Sequence, residues 1–248
     1  THTHLSGTGC LDWGDILFMP VKGGTVASRF SHDRESASPG LYSVWLEDPQ
    51  VDVRIAAGRR VAMHEYSYSG GDRTVWIDLH HRDRLLDADL EVVGGNAVQG
   101  WRQSRSWARE QDVYFYAEFS EPVTLEEFAD SVSVRLHFGV GDAPLKVKIA
   151  LSSVSCDNAK KNLLSEIKEG DWNLDVLANK TRAAWNDWLS RIAVKGGKAE
   201  QMRTFYSCLY RTSIFPRKLY EIDAEGNVLP DICTPPESEE FIASEQFF

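Results

Sequence analysis

The chain has 248 residues, of which 42% are hydrophobic and 26% charged, and its formal net charge is −10. This is ordinary globular composition with enough apolar residues for a sizeable core, and all-β domains often reach this length as single units. The negative charge argues against a nucleic-acid or anionic-membrane partner, since both need a positive face. No apolar run approaches the roughly 18 residues that span a bilayer.

Residues 2–15 (HTHLSGTGCLDWGD) combine two histidines, three glycines, a cysteine, two aspartates and a tryptophan. This composition predicts a rigid loop that offers polar groups and an aromatic face to a small ligand, because glycine allows close backbone approach. His2 and His4 would point the same way on a strand, as two metal ligands can. A metal there would need Asp12 or Asp15 as well. No signal peptide is visible, and the abrupt start indicates entry into mid-domain.

The sequence from about residue 41 to residue 152 predicts a series of short strands. Stretches rich in Val, Ile, Tyr, Phe and Trp alternate apolar with polar residues, and Gly, Pro and Asp turn signals separate them. The predicted strands are 41–47, 51–57, 61–68, 74–79, 89–93, 98–103, 113–119, 132–138 and 146–151. Short strands at this spacing predict antiparallel sheets in a sandwich or barrel. His80 and His81 are predicted to be surface or hydrogen-bonded histidines.

Three helices are predicted after the strands, over residues 156–168, 173–192 and 198–215. Asp157 is the predicted cap of the first helix. The other two carry large aromatic side chains, namely Trp185, Trp188, Phe205, Tyr206 and Tyr210. These helices either close the domain or bridge to another domain, and their aromatic area favours the bridge. From residue 219 the chain turns polar and acidic, and residues 235–240 predict a loose tail.

Three common catalytic and nucleotide-binding motifs are absent from the sequence. There is no nucleophile elbow, P-loop or dinucleotide fingerprint. The four cysteines are too widely and irregularly spaced for a zinc site or a small disulfide framework; they are Cys10, Cys156, Cys208 and Cys233. A glycoside hydrolase would need two carboxyl groups about 5–9.5 Å apart, and the 37 acidic residues do not single out such a pair.

The run HTHLSGTGCLDWGDILFMP, residues 2–20, resembles the signature of the glycoside hydrolase family 92 α-mannosidases, which are exo-acting bacterial enzymes that need calcium. Further matches follow in the same order. They lie at residues 30–32, 37–42, 60–64, 76–79, 100–102, 106–108, 111–115, 159–163 and 205–212. The resemblance covers roughly residues 2–229, and residues 231–248 do not resemble the family.

The resemblance implies an N-terminal β-sandwich, a helical linker and a large (α/α)6 barrel. It divides the chain into a sandwich over 1–154 whose N-terminal part is missing, a linker over 155–218, and residues 219–248 as either the start of the missing barrel or a loose tail. The fold class expected is therefore mainly β, an antiparallel sandwich of the supersandwich type followed by a helical linker.

The resemblance also implies an inverting reaction, in which a glutamic acid protonates the leaving oxygen and an aspartate base activates water. Calcium holds and distorts the terminal mannose. These groups and most Ca2+ ligands belong to the barrel, so no catalytic and no metal-binding residue is expected in this chain. The chain alone is expected to be inactive.

Within the sandwich, the resemblance places Cys10 and Trp13 beside the bound sugar and Trp107 on the same wall of the pocket. His2 stands where some members have an aromatic contact to the neighbouring sugar. The alternative for Trp13 and Trp107 is ordinary core packing. The expected partners are an α-mannoside glycan, of α-1,2 type, and the (α/α)6 barrel, and the expected location is the periplasm or cell surface.

Two other functions stay open on the sequence. One is a stand-alone carbohydrate-binding module, which would be a stable monomer without exposed apolar helix faces. The other is a cupin-like metal enzyme built on His2 and His4, although the usual downstream Glu and His are absent at that spacing.

Overall fold

The computed structural model describes residues 15–106, 109–214, 220–223 and 225–230. Two antiparallel sheets form a sandwich, and helices cover the outer face of the larger sheet. The strands are β1 (Leu17–Val21), β2 (Glu35–Ser38), β3 (Leu41–Leu46), β4 (Val51–Ala57), β5 (Val61–Tyr68), β6 (Asp72–Asp78), β7 (Arg84–Val93), β8 (Ala97–Arg105), β9 (Gln111–Phe119), β10 (Leu125–Asp130), β11 (Ser133–Val140), β12 (Leu145–Ser152), β13 (Tyr220–Ile222) and β14 (Val228–Pro230). The helices are α1 (Cys156–Glu166), α2 (Leu174–Leu189) and α3 (Ala199–Thr212).

The smaller sheet has the order β1-β6-β11-β10 and the larger one the order β2-β3-β4-β5-β12-β9-β8-β7. Every pairing in both sheets is antiparallel. A separate hairpin, β13-β14, follows α3. The predicted mainly β sandwich followed by helices is confirmed.

The main core lies between the two sheets. β9 shows how the sequence builds it, because Val113, Phe115, Ala117 and Phe119 are buried at every second position. Side chains on a strand alternate between faces, so one face of β9 meets the smaller sheet. There Phe18 of β1 packs edge-on against Phe115, with ring centroids 5.8 Å apart.

A second apolar layer lies on the outer face of the larger sheet, where α1 and α2 pack. The sheet offers mainly small residues there, which lets the helices come close; they include Ala56, Ala97 and Ala150. The helices contribute Leu163 and Leu177 among others. Gly40 comes close to α2, since a Cβ there would lie 2.7 Å from the carbonyl oxygen of Ala178, and its φ of +86° also favours glycine.

All nine predicted strands are present, but five further strands were not predicted. β1, β2 and β10 are edge strands of the two sheets. β10 is exposed along its whole length, and β1 contains Pro20, which cannot donate to a ladder. Edge strands need no continuous apolar face, so the period-2 signal is weak there. β13 and β14 form a short hairpin in the polar stretch after residue 219.

The three predicted helices are present and somewhat shorter than predicted. The predicted cap of α1 is wrong: the side chain of Ser155 accepts from the Asn158 N–H, and Asp157 lies in the first turn. α2 buries Leu174 and Leu177 against the sheet at its N-terminal end. Within the described residues, no helix is long and apolar enough to cross a bilayer.

α3 packs against the C-terminal half of α2 instead of against the sandwich. The rings of Trp185 and Tyr210 lie 4.6 Å apart between centroids, and Trp188 Nε1 donates to Ser213 Oγ at 2.6 Å. None of the residues of α3 is buried. The apolar side chains of α3 are therefore only partly covered.

Candidate functional site

The four predicted sugar-contact residues are His2, Cys10, Trp13 and Trp107, and all of them lie outside the described residues. Their expected contacts stay predictions. The structure does describe the residues that flank them: Asp15 follows the His-rich loop, and the connection between β8 and β9 carries Trp107.

Asp15 is buried, and its carboxylate binds residues on both strands that flank the β8–β9 connection. Its Oδ1 accepts from Ser104 Oγ at 3.2 Å, and its Oδ2 accepts from Gln111 Nε2 at 2.8 Å. Ser104 lies near the end of β8 and Gln111 begins β9. The structure thus ties the end of the His-rich loop to both sides of the segment that contains Trp107, at one end of the sandwich.

Arg102 is at the centre of this cluster and is fully buried. It donates through Nη1 to Asp15 Oδ1, through Nη2 to Asp83 Oδ1 at 2.5 Å, and through Nε to the Leu79 carbonyl at 2.6 Å. Leu79 and Asp83 bound the β6–β7 connection. One guanidinium on β8 therefore holds Asp15, at the end of the His-rich segment, and both ends of the β6–β7 connection.

The sequence contains a local signal for this cluster that the sequence analysis did not use. The inward face of β8 starts with Val98 and ends with Arg102 and Ser104, while that of β9 starts with Gln111. Polar residues thus replace apolar ones on the core face of both strands as they approach the same end. Buried polar groups need partners, so this switch points to a buried network at that end.

The electrostatics of the cluster are dominated by burial. Desolvation raises the pKa of Asp15 to about 6, the Arg102 charge opposes this rise, and the nearby Asp83 carboxylate adds to it. Two carboxylates share one guanidinium. Within the described part of the chain, Asp83 Oδ2 and Gln111 Oε1 are buried without a hydrogen-bond partner. Among the described residues, the cluster is therefore rich in buried hydrogen-bond acceptors.

The β6–β7 connection contains the two adjacent histidines. His80 Nε2 lies 3.3 Å from Asp130 Oδ2, and its side chain is half exposed, as predicted for a surface histidine. Burial lowers the pKa of His81. Arg82 has a φ of +69°, in the left-handed region that non-glycine residues rarely adopt. This connection is bent sharply next to the Asp15 cluster.

No group of three or more His, Cys, Asp or Glu side chains suited to a metal ion occurs among the described residues. Those residues do not fit a calcium site, so the Ca2+ expected from the resemblance stays a prediction. Cys156 and Cys208 are free thiols.

Comparison with known proteins assigns the chain to a family. The family model described as "Glycosyl hydrolase family 92 N-terminal domain" matches residues 1–152, well over half of the chain. The chain belongs to glycosyl hydrolase family 92. The family's catalytic-domain model matches residues 158–246. The expectation that residues 231–248 do not resemble the family is therefore wrong for 231–246. The catalytic-domain match also includes α2, α3 and all of α1 except its first two residues.

Solved members of family 92 share the fold. The α-mannosidase BT3965 from Bacteroides thetaiotaomicron is 25% identical with a TM-score of 0.76, and the match covers 92% of this chain and 36% of that one. The inverting mannosidase BT2199 from B. thetaiotaomicron VPI-5482 is 29% identical with a TM-score of 0.72, covering 86% and 31%. The chain thus spans about a third of the length of these structures.

A curated relative shows a shorter match. An uncharacterized secreted glycosidase from Arthroderma benhamiae is 30% identical over 79 residues, which is 31% of this chain and 10% of that protein.

Proposed function

We propose that this chain is part of an exo-acting, Ca2+-dependent α-mannosidase that removes terminal α-mannose from glycans with inversion, with preference for α-1,2 linkages. Its β-sandwich forms one wall of the substrate pocket. Family membership and the two mannosidases of known structure support the reaction class. The observation that supports the pocket wall is the binding of Asp15 by Ser104 and Gln111, since it joins the last residue of segment 2–15 to both flanks of the segment that carries Trp107.

In this proposal the sandwich binds and orients the sugar and does not perform the acid–base steps. Trp13 and Trp107 offer flat apolar faces to the C–H face of mannose, and Cys10 lies beside it. His2 contacts the neighbouring sugar. Calcium, when bound, holds and distorts the terminal mannose. An inverting hydrolysis needs an acid and a base about 6.5–9.5 Å apart, and we propose that both lie outside this chain, which alone is inactive.

The Asp15 cluster gives the wall its rigidity. Arg102 and Gln111 are buried and bind the residue at which the His-rich loop joins β1. A loop fixed at its end loses less conformational entropy when a ligand binds. We propose a periplasmic or extracellular location as well, which the secreted fungal relative supports.

A stand-alone carbohydrate-binding module is the rival function, and it predicts a monomer without exposed apolar helix faces. The helices instead expose Leu164 by 51%, Val176 by 52% and Trp188 by 43%, and Ile192 just after α2 is exposed by 48%. These side chains lie on or next to α1 and α2, as expected if the helices pack against a further part of a larger protein. This observation favours a role inside a larger protein. The cupin-like alternative depends on His2 and His4, which lie outside the described residues.

The test is a proton NMR time course of α-1,2-mannobiose with this protein and calcium, which follows the anomeric signals and saturation transfer together. We expect saturation transfer to the sugar without hydrolysis. Trp13→Ala and Trp107→Ala should weaken the transfer, while Trp188→Ala on α2 should leave it unchanged. Release of β-mannose would show that the chain carries its own acid and base. Transfer that survives both substitutions would contradict the pocket wall.

A further inference from the structure

Glu221 lies in β13, the first strand of the hairpin that follows α3, yet its carboxylate is buried where the sandwich meets α1. The residue is 6% exposed, whereas its neighbour Ile222 is exposed. A buried carboxylate is costly unless its oxygens are fully hydrogen-bonded. The surroundings of Glu221 meet this requirement.

Five hydrogen bonds from neutral donors converge on the Glu221 carboxylate. Oε2 accepts from Ser152 Oγ and the Ser153 N–H, both at 2.9 Å, and from Ser153 Oγ at 3.3 Å. Oε1 accepts from Asn158 Nδ2 at 2.9 Å and from Asn162 Nδ2. The donors thus surround both oxygens of a planar, two-oxygen anion.

These donors are held in place by other bonds. Ser152 Oγ accepts from the N–H groups of Val154 at 2.9 Å and Ser155 at 3.4 Å, which fixes the turn between β12 and α1. Asn162 Nδ2 also donates to the Leu151 carbonyl at 2.9 Å. The site is therefore organised by β12 and α1 themselves, independently of the hairpin that fills it.

Arg60 adds the positive charge. Its Nη1 lies 3.6 Å from Glu221 Oε2, and its Nη2 donates to the Tyr220 carbonyl at 2.7 Å. The backbone N–H groups of Arg59 and Arg60 each donate to the Glu166 carboxylate at the end of α1, at 2.9 Å. The β4–β5 turn thus binds the helix and the hairpin at once.

We propose that Ser152, Ser153, Asn158, Asn162 and Arg60 form a carboxylate-binding site that acts as a latch. Glu221 fills it and so fixes the chain after α3 against the sandwich. Ser152 ends the part matched by the N-terminal-domain model, and Glu221 lies within the catalytic-domain match. The latch joins these two parts of the chain. Small carboxylates such as acetate bind in the same site when the Glu221 side chain is removed.

The first measurement is hydrogen exchange of the hairpin amides in Glu221→Ala. We expect their protection to fall about 10-fold or more, the scale of a lost charge-assisted hydrogen bond. Sodium acetate should fill the emptied site and raise the unfolding midpoint of Glu221→Ala in a saturable way, and sodium chloride at the same ionic strength should not. Hairpin protection should stay low in acetate, because acetate is not joined to the hairpin. Glu225→Ala, in the exposed turn of the same hairpin, should exchange like the unmodified chain.

Two further variants keep the test decisive if Glu221→Ala does not fold. Glu221→Gln has nearly the same volume but turns an NH2 group toward the donors, so it should lose hairpin protection. Ser153→Ala removes one hydroxyl donor and should lower protection by a smaller factor. Normal protection in Glu221→Gln or Ser153→Ala, or a folded Glu221→Ala that does not respond to acetate, would overturn the latch. None of these outcomes depends on the proposed mannosidase function.

Discussion

Arg102 and Asp15 form an ion pair whose side chains are 0% and 1% exposed, although they lie 87 residues apart in the chain. The same guanidinium also binds Asp83, whose side chain is 2% exposed. A buried ion pair gains from Coulomb attraction but loses hydration. Here two carboxylates share one cation, and the raised pKa of Asp15 follows from burial, to which the charge of Asp83 adds.

The first prediction concerns pH. The pKa of Asp15 rises from 3.8 to about 6 on folding. Because the folded-state pKa is above the unfolded one, protonation favours the folded protein. This contribution is fully present below the unfolded pKa and is lost as pH rises through about 6. At about 1.4 kcal/mol per pKa unit it is on the order of 3 kcal/mol.

Asp15→Asn removes this titration. The free energy of unfolding of the parent chain relative to Asp15→Asn should therefore be lower at pH 7 than at pH 4.5. Denaturant unfolding of both proteins at pH 7 and pH 4.5 measures this difference. The other carboxylates are present in both proteins, so their contributions to the pH dependence cancel. Asp142→Asn, at an exposed position, is the control and should follow the parent chain. Equal pH dependence in the parent and Asp15→Asn would contradict the prediction.

Arg102→Met should destabilise the protein by about 3–5 kcal/mol, the cost of leaving buried carboxylates without their cation. Denaturant unfolding at pH 7 is the measurement. Arg105→Met lies on the same strand at an exposed position and should change stability by about 0.5 kcal/mol or less. The loss should shrink when Asp15→Asn is combined with Arg102→Met, because one unpaired charge is then removed. A full additive loss in the double variant would argue against the shared ion pair.

Gly100→Ala should destabilise the sandwich by about 1–3 kcal/mol through overpacking. A Cβ at this position would meet the Asp89 carbonyl oxygen and would lie 2.9 Å from Phe115 Cε1. Gly24→Ala is the matched control, since a Cβ there has no heavy atom within 4 Å. Thermal unfolding of the two variants gives the comparison. Similar midpoints for both would mean that β7 and β9 can move apart to admit a methyl group.

Trp185→Ala should loosen α3 while leaving the sandwich intact, because α3 is held mainly by contacts with α2 such as that of Trp185 with Tyr210. We expect protease cleavage to begin in α3 at concentrations that do not cut the parent chain. The sandwich should unfold at its usual denaturant midpoint. Val176→Ala, on an exposed position of the same helix, should not change the cleavage pattern. Loss of sandwich stability in Trp185→Ala would show that α3 is not a separable unit.

The sequence by itself determined the fold class and most of the elements. Central strands such as β4, β5 and β9 alternate apolar and polar residues, and the helices have 3.6-residue apolar stripes. These signals are local, since a strand with one buried face must repeat its apolar residues every second position. The motif at residues 2–20 likewise indicated the family.

Tertiary structure alone decided which distant polar residues meet. Arg102 and Asp15 are brought together only when β8 lies in one sheet and β1 in the other, and Glu221 finds its donors only after the chain has passed through α3. A sequence shows that a residue can ionise or donate, but not which partner offsets the cost of its burial. That partner depends on strand order and on sheet packing, which are non-local.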